Sequence, residues 1–99
     1  MCYSEYINRI EQAVKEATGY DFPAIKEEGR GVTELFFARV LFDHELVLLG
    51  LNPSQRARVF NRTYASVSRY AEIYDNEYQT NRSFRIMADR VKDLINNIK

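Results

Sequence analysis

The chain has 99 residues, enough for one domain, spanning 1–99, with a working core and no metal or disulfide support. A hydrophobic fraction of 45% and a charged fraction of 28% are the balance of a globular protein rather than a disordered or membrane-spanning one. Charge sums to zero, which weighs against nucleic acid, while a single Cys and a single His exclude an intrachain disulfide and leave little basis for a metal cluster or a Ser-His-Asp triad.

Only 4 Gly and 2 Pro occur, which favours helices joined by short turns. Ser4 is a candidate N-cap, and Ile7, Ile10, Val14 and Ala17 recur at helical spacing, so a first helix is expected over about Ser4 to Thr18, closed by Gly19. Asp21 or Phe22 opens a short second helix with Pro23 at its first position. Gly29-Arg30-Gly31 then reads as a loop. Thr33 is a candidate cap for a third helix, whose stripe of Leu35, Phe36, Ala38, Leu41 and Phe42 is widened by Phe37, Val40 and Leu46. A helix this apolar belongs at the centre of a core, and its phenylalanines read as packing. His44 reads as a solvated residue late in that helix, and Gly50 ends it.

Asn52-Pro53 is a strong start signal, a capping side chain followed by a ring whose φ suits the first turn. A short helix from Pro53 to Phe60 follows, then Asn61 as a turn residue that tolerates the left-handed region. The next helix starts around Arg62 or Thr63 and carries Val67, Tyr70, Ala71, Ile73 and Tyr74. Thr80-Asn81 or Ser83 caps a last helix, in which Phe84, Met87, Val91, Leu94 and Ile98 keep an amphipathic spacing. The expected fold is all-α, a compact bundle of five to six helices with a helix-turn-helix at about 52–75.

A DNA-reading helix-turn-helix needs two short helices, a tight turn, a small residue where they approach, and polar groups near the start of the second helix, which enters the major groove. Ala57 is the small residue, and Phe60 and Val67 can pack between the helices. Thr63, Tyr64, Ser66 and Arg69 are expected to face outward, with Arg56, Arg58 and Arg62 on phosphates. Charge distribution supports this reading better than net charge does. Between Glu45 and Glu72 there is no acidic residue, and the same stretch holds all four of Arg56, Arg58, Arg62 and Arg69.

The run Arg62-Thr63-Tyr64-Ala65-Ser66-Val67 resembles the hallmark Arg-Asp-His-(Thr/Ser)-Thr-Val of the C-terminal DNA-binding domain of the bacterial replication initiator DnaA. Arg62 and Val67 match, and Ser66 matches conservatively. The opening Tyr6 to Val14, the Thr18-Gly19-Tyr20 and Ala24-Ile25 segments, the central Leu35 to Leu41 with Ala38 and Arg39, and the closing helices extend the similarity over nearly the whole chain. The resemblance implies a replication-initiator or Trp-repressor-like fold, double-stranded DNA as partner and Arg30 as the one basic-loop residue for the minor groove. The family's base-reading Asp, His and first Thr are replaced by Thr63, Tyr64 and Ala65, which implies an altered site preference. Arg56 stands where that family usually has an apolar residue.

The expected function is therefore sequence-specific DNA binding by a free-standing bacterial relative, a regulator or a mobile-element protein without ATPase machinery. No catalytic residue, cofactor or metal is expected. The alternative is a helical protein-interaction module, with a protein partner or a homodimer, that kept the fold and lost DNA binding; Tyr3, Tyr6, Tyr64, Tyr70, Tyr74 and Tyr78 favour it. The start of the chain lacks a basic segment followed by an apolar run, and no stretch is long enough for a bilayer, so a cytoplasmic location and no membrane partner are expected.

Overall fold

The structure is a computed structural model that describes residues 3–26 and 33–97. Six helices run in chain order: α1 (Tyr3–Thr18), α2 (Phe22–Lys26), α3 (Thr33–Leu49), α4 (Pro53–Phe60), α5 (Tyr64–Thr80) and α6 (Arg82–Asn97). No strand occurs among the described residues, and none of the helices is long and apolar enough to cross a membrane. The expected all-α bundle is what forms. The Gly29-Arg30-Gly31 loop, Cys2 and Ile98 lie outside the described residues.

α3 is the central element, touching α1, α2, α5 and α6. Ala38, Val40, Leu41, Phe42 and Leu46 are all buried, because this helix is apolar around most of its circumference and has neighbours on several sides. α6 packs Phe84, Ala88 and Val91 inward, beside Ile10, Ala13 and Val14 of α1 in the same core. The phenylalanine stripe is packing, as expected. Phe22, Phe42, Phe60, Tyr70 and Phe36 form a chain of ring contacts with centroids 5.0 to 6.4 Å apart, tying α2, α3, α4 and α5 together.

The junctions follow local chemistry. Asp21 caps α2 through Oδ1, which accepts from the Ala24 N–H at 3.1 Å. Gly50, at φ +100, ends α3 in a turn where its N–H donates to Val47 O and the Leu51 N–H reaches back to Leu46 O. That paired closure satisfies two otherwise orphaned carbonyls and buries Leu51 beside Leu46. Asn81 ends α5 and caps α6, its Oδ1 accepting from the Phe84 N–H at 3.2 Å. α1 begins at Tyr3, one residue before the expected cap, and α5 continues past Asp75 to Thr80 because no breaker intervenes before Asn81.

Candidate nucleic-acid interface

The α4–α5 unit is assembled by three successive local devices. Asn52 accepts the Gln55 N–H through Oδ1, and the Gln55 side chain accepts the Asn52 N–H, both at 2.8 Å, with Pro53 opening the helix. This reciprocal box fixes the start of α4. At its end Asn61 adopts φ 54 and ψ 48, and the N–H groups of Asn61 and Arg62 return to Arg58 O and Ala57 O. Thr63 then caps α5, its Oγ1 accepting from the Ser66 N–H at 3.2 Å. Only Asn61, Arg62 and Thr63 separate the two helices.

The buried stripe of α5 is Val67, Tyr70 and Tyr74, facing Phe60 and α3. Much of the opposite face of α5 is left outside, while Ser66, Ser68 and Ile73 are half-buried at the edge of that stripe. Tyr64 is 60% exposed, Ala65 and Arg69 are exposed, and Thr63 is exposed just before them. α6 meets α5 through its later turns, with Tyr74 packed on Phe84 and the Tyr78 hydroxyl donating to Asp89 at 2.7 Å. The first turns of α5 stay uncovered.

Ser66, Arg69 and Ile73 fall at i, i+3 and i+7, one stripe of α5, and Arg62 joins them from the turn that precedes the helix. With Phe36 of α3 and Tyr70 they line an open cleft of about 290 Å3. Neither Arg62 nor Arg69 has a carboxylate within ion-pair distance among the described residues, and the same is true of exposed Arg58 on α4. Two guanidinium groups thus stand on an apolar floor beside an open helix start. Phosphate oxygens supply the partners such groups lack. Phe36, Tyr70 and Ile73 were not singled out as site residues from sequence, since the floor is made by apolar side chains at the rim of the core.

Arg56 is not part of this surface, and its expected phosphate contact is corrected. It is only 5% exposed. Its Nε donates to Asp43 Oδ1 at 2.8 Å and its Nη1 to Leu51 O at 3.0 Å, so it joins α4 to the end of α3. The physical reason is phase: Arg56 precedes Phe60 by four residues, so both lie on the inward stripe of α4. Asp43 is fully buried and its Oδ2 has no hydrogen-bond partner among the described residues. Burial raises its carboxyl to about 6, against the lowering pull of Arg56. The signal available in sequence was an acid inside the apolar stripe of α3, which calls for a buried cation.

Other expectations shift in smaller ways. The Thr63 hydroxyl is committed to the cap and lies 3.0 Å from the Ser66 hydroxyl, so neither group is wholly free. Tyr70 and Tyr74 are core residues, which removes them as support for a protein-binding face. His44 is not solvated: its ring stacks on Tyr74 with centroids 3.6 Å apart and 5° between planes. Burial, helped by the charge of Lys92, lowers its pKa to about 4 against the opposing pull of Asp75. Arg30 lies outside the described residues. No group of three or more His, Cys, Asp and Glu able to hold a metal ion occurs among the described residues.

Comparison with protein-family models, curated proteins and solved structures finds no match to this chain.

Proposed function

We propose that this chain binds double-stranded DNA by placing the start of α5 in the major groove, as a divergent relative of the C-terminal domain of the initiator DnaA. The observation that carries this reading is the Arg62–Ser66–Arg69 cleft, whose arginines have no carboxylate within ion-pair distance among the described residues, beside the exposed Thr63, Tyr64 and Ala65. A helix that enters the groove needs polar groups at its open end and cations flanking it for the two phosphate chains. Arg58, Arg62 and Arg69 supply the phosphate contacts, and Tyr64 and Ser66 reach base edges. Tyr64 packs on a thymine methyl or bonds a base, and Ala65 offers only apolar contact. Site preference therefore differs from that of the initiator's own binding box. Such a protein acts as a regulator or a mobile-element component in the bacterial cytoplasm.

Three phosphate contacts give a slope of log affinity against log salt of roughly −2 to −3. The test is fluorescence anisotropy with a labelled duplex pool at about 50 mM and about 200 mM salt, comparing the native chain with the Arg62→Ala/Arg69→Ala variant. The native chain binds and the variant loses both affinity and about two units of slope. Absence of binding to any duplex at the lower salt, or a variant that binds with an unchanged slope, overturns the proposal.

A further inference from the structure

We propose that a second face of the molecule, made by the start of α1 and the ends of α3 and α6, is the surface through which two copies of this chain pair. Leu48 is 63% exposed and Tyr6 37% exposed. With Leu49 and Ile95 they border an apolar cleft of about 150 Å3. Single exposed apolar residues are ordinary, but a cluster drawn from three helices marks a contact surface.

The occupant is argued from the charges that border this cleft. Arg9 stands on the α1 wall and Glu45 on the α3 wall. Glu45 is half-buried, and burial raises its carboxyl above the usual range, with Lys92 opposing only from beyond ion-pair distance. No cation pairs with it among the described residues, and no carboxylate pairs with Arg9, whose guanidinium lies 5.8 Å from the Tyr6 ring centroid. A surface carrying one charge of each sign across an apolar strip complements itself. About a two-fold axis, Arg9 of each copy meets Glu45 of the other while Leu48 and Tyr6 close over the strip. A partner of purely acidic or purely basic character would leave one of the two charges opposed.

The placement is compatible with an open α5. Leu48 follows Phe36 by twelve residues, about 18 Å along the α3 axis at 1.5 Å per residue. The pairing face and the arginine cleft therefore sit toward opposite ends of α3. Pairing through one leaves the other free.

The test is molecular mass by light scattering and sedimentation over about 1 µM to about 1 mM protein, a readout that does not depend on DNA. The native chain moves toward twice the single-chain mass as concentration rises. Leu48→Glu, which sets a charge in the strip, stays at single-chain mass, and so does Arg9→Glu, which faces Glu45 with a like charge. The double reversal Arg9→Glu/Glu45→Arg regains the paired mass. If Leu48→Glu fails to fold, the charge-reversal set decides alone. A native chain of single mass throughout, or a double reversal that stays single while its circular dichroism is native, overturns the proposal; the first result leaves the cleft to a partner other than a second copy.

Discussion

Two arginine environments in one short stretch of chain have opposite fates. At the α3–α4 junction Arg56 is enclosed, bonded to Asp43 and to the carbonyl of Leu51, and it holds the first helix of the α4–α5 unit against the core. At the turn before α5 and on its second turn, half-buried Arg62 and exposed Arg69 line a cleft floored by apolar side chains, with no carboxylate within ion-pair distance among the described residues. Arg62 follows Arg56 by six positions, and composition treats them alike. Their difference is which face of which helix each occupies. An Arg-rich, acid-free stretch is therefore not yet a positive surface; here one of its four cations is spent on architecture by an acid thirteen residues upstream.

The sharpest way to break this contrast is to truncate the enclosed arginine. Arg56→Ala leaves Asp43 buried without its partner and is expected to lower unfolding free energy by about 3–5 kcal/mol. Replacing both residues with apolar ones, as in Arg56→Met/Asp43→Leu, recovers most of that loss. Urea unfolding near pH 8 measures both, and a loss under about 1 kcal/mol in the single variant sinks the architectural role. By contrast, Arg62→Ala/Arg69→Ala is expected to change stability by less than about 0.5 kcal/mol while reducing duplex affinity by about 10–100-fold. Melting curves beside anisotropy titrations would separate the two kinds of arginine, and an equal stability cost for both would erase the distinction.

Acid titration sharpens the comparison further, because neighbours on α3 pull in opposite directions. Asp43 has a folded pKa raised from 3.8 to about 6, so the stability it contributes is present below pH 4 and is lost as pH rises through about 6. His44 has a folded pKa lowered from 6.5 to about 4, so its contribution is present above pH 6.5 and is lost as pH falls through about 4. Between pH 4 and 6 the two offset each other. His44→Phe keeps an aromatic ring against Tyr74 and removes the imidazole titration, so its stability should fall more steeply than that of the native chain as pH rises across that window. Thermal melts at closely spaced pH values would show this, and identical profiles would rule out the offset.

The smallest expected effect separates capping from reading at the start of α5. Thr63→Ala removes the acceptor for the Ser66 N–H and costs about 1 kcal/mol, whereas Thr63→Ser keeps the cap and stays near native stability. If base contact is the main role of Thr63, duplex affinity drops in both variants while stability does not move.

Much of this architecture was readable from local sequence. Asn52-Pro53, Phe60 and Asn61 bracket α4 because capping, proline φ and the left-handed turn are decided within a few residues. Spacing in α5 separates Val67, Tyr70 and Tyr74 from Ser66 and Arg69. That Phe36, Phe37 and Phe42 pack in or against the core follows from the breadth of the α3 stripe. Less readable were the residues whose role depends on a neighbour far along the chain. Asp43 and Arg56, His44 and Tyr74, and Phe36 beneath Arg69 each become meaningful only when two helices meet.

By itself, then, the sequence determined the breaks between helices and most of each inward stripe, but not the start of α1, the end of α5 or the burial of Arg56. It did so because those outcomes rest on hydrogen bonds and apolar spacing within one or two turns. Tertiary structure alone decided which arginines meet solvent and which meet an acid. A side chain's charge is the same in either place, but its partners are set by helix packing, and a buried cation keeps its charge only where a carboxylate is delivered to it. That is how Arg56 became part of the core while Arg62 and Arg69 came to line an open cleft.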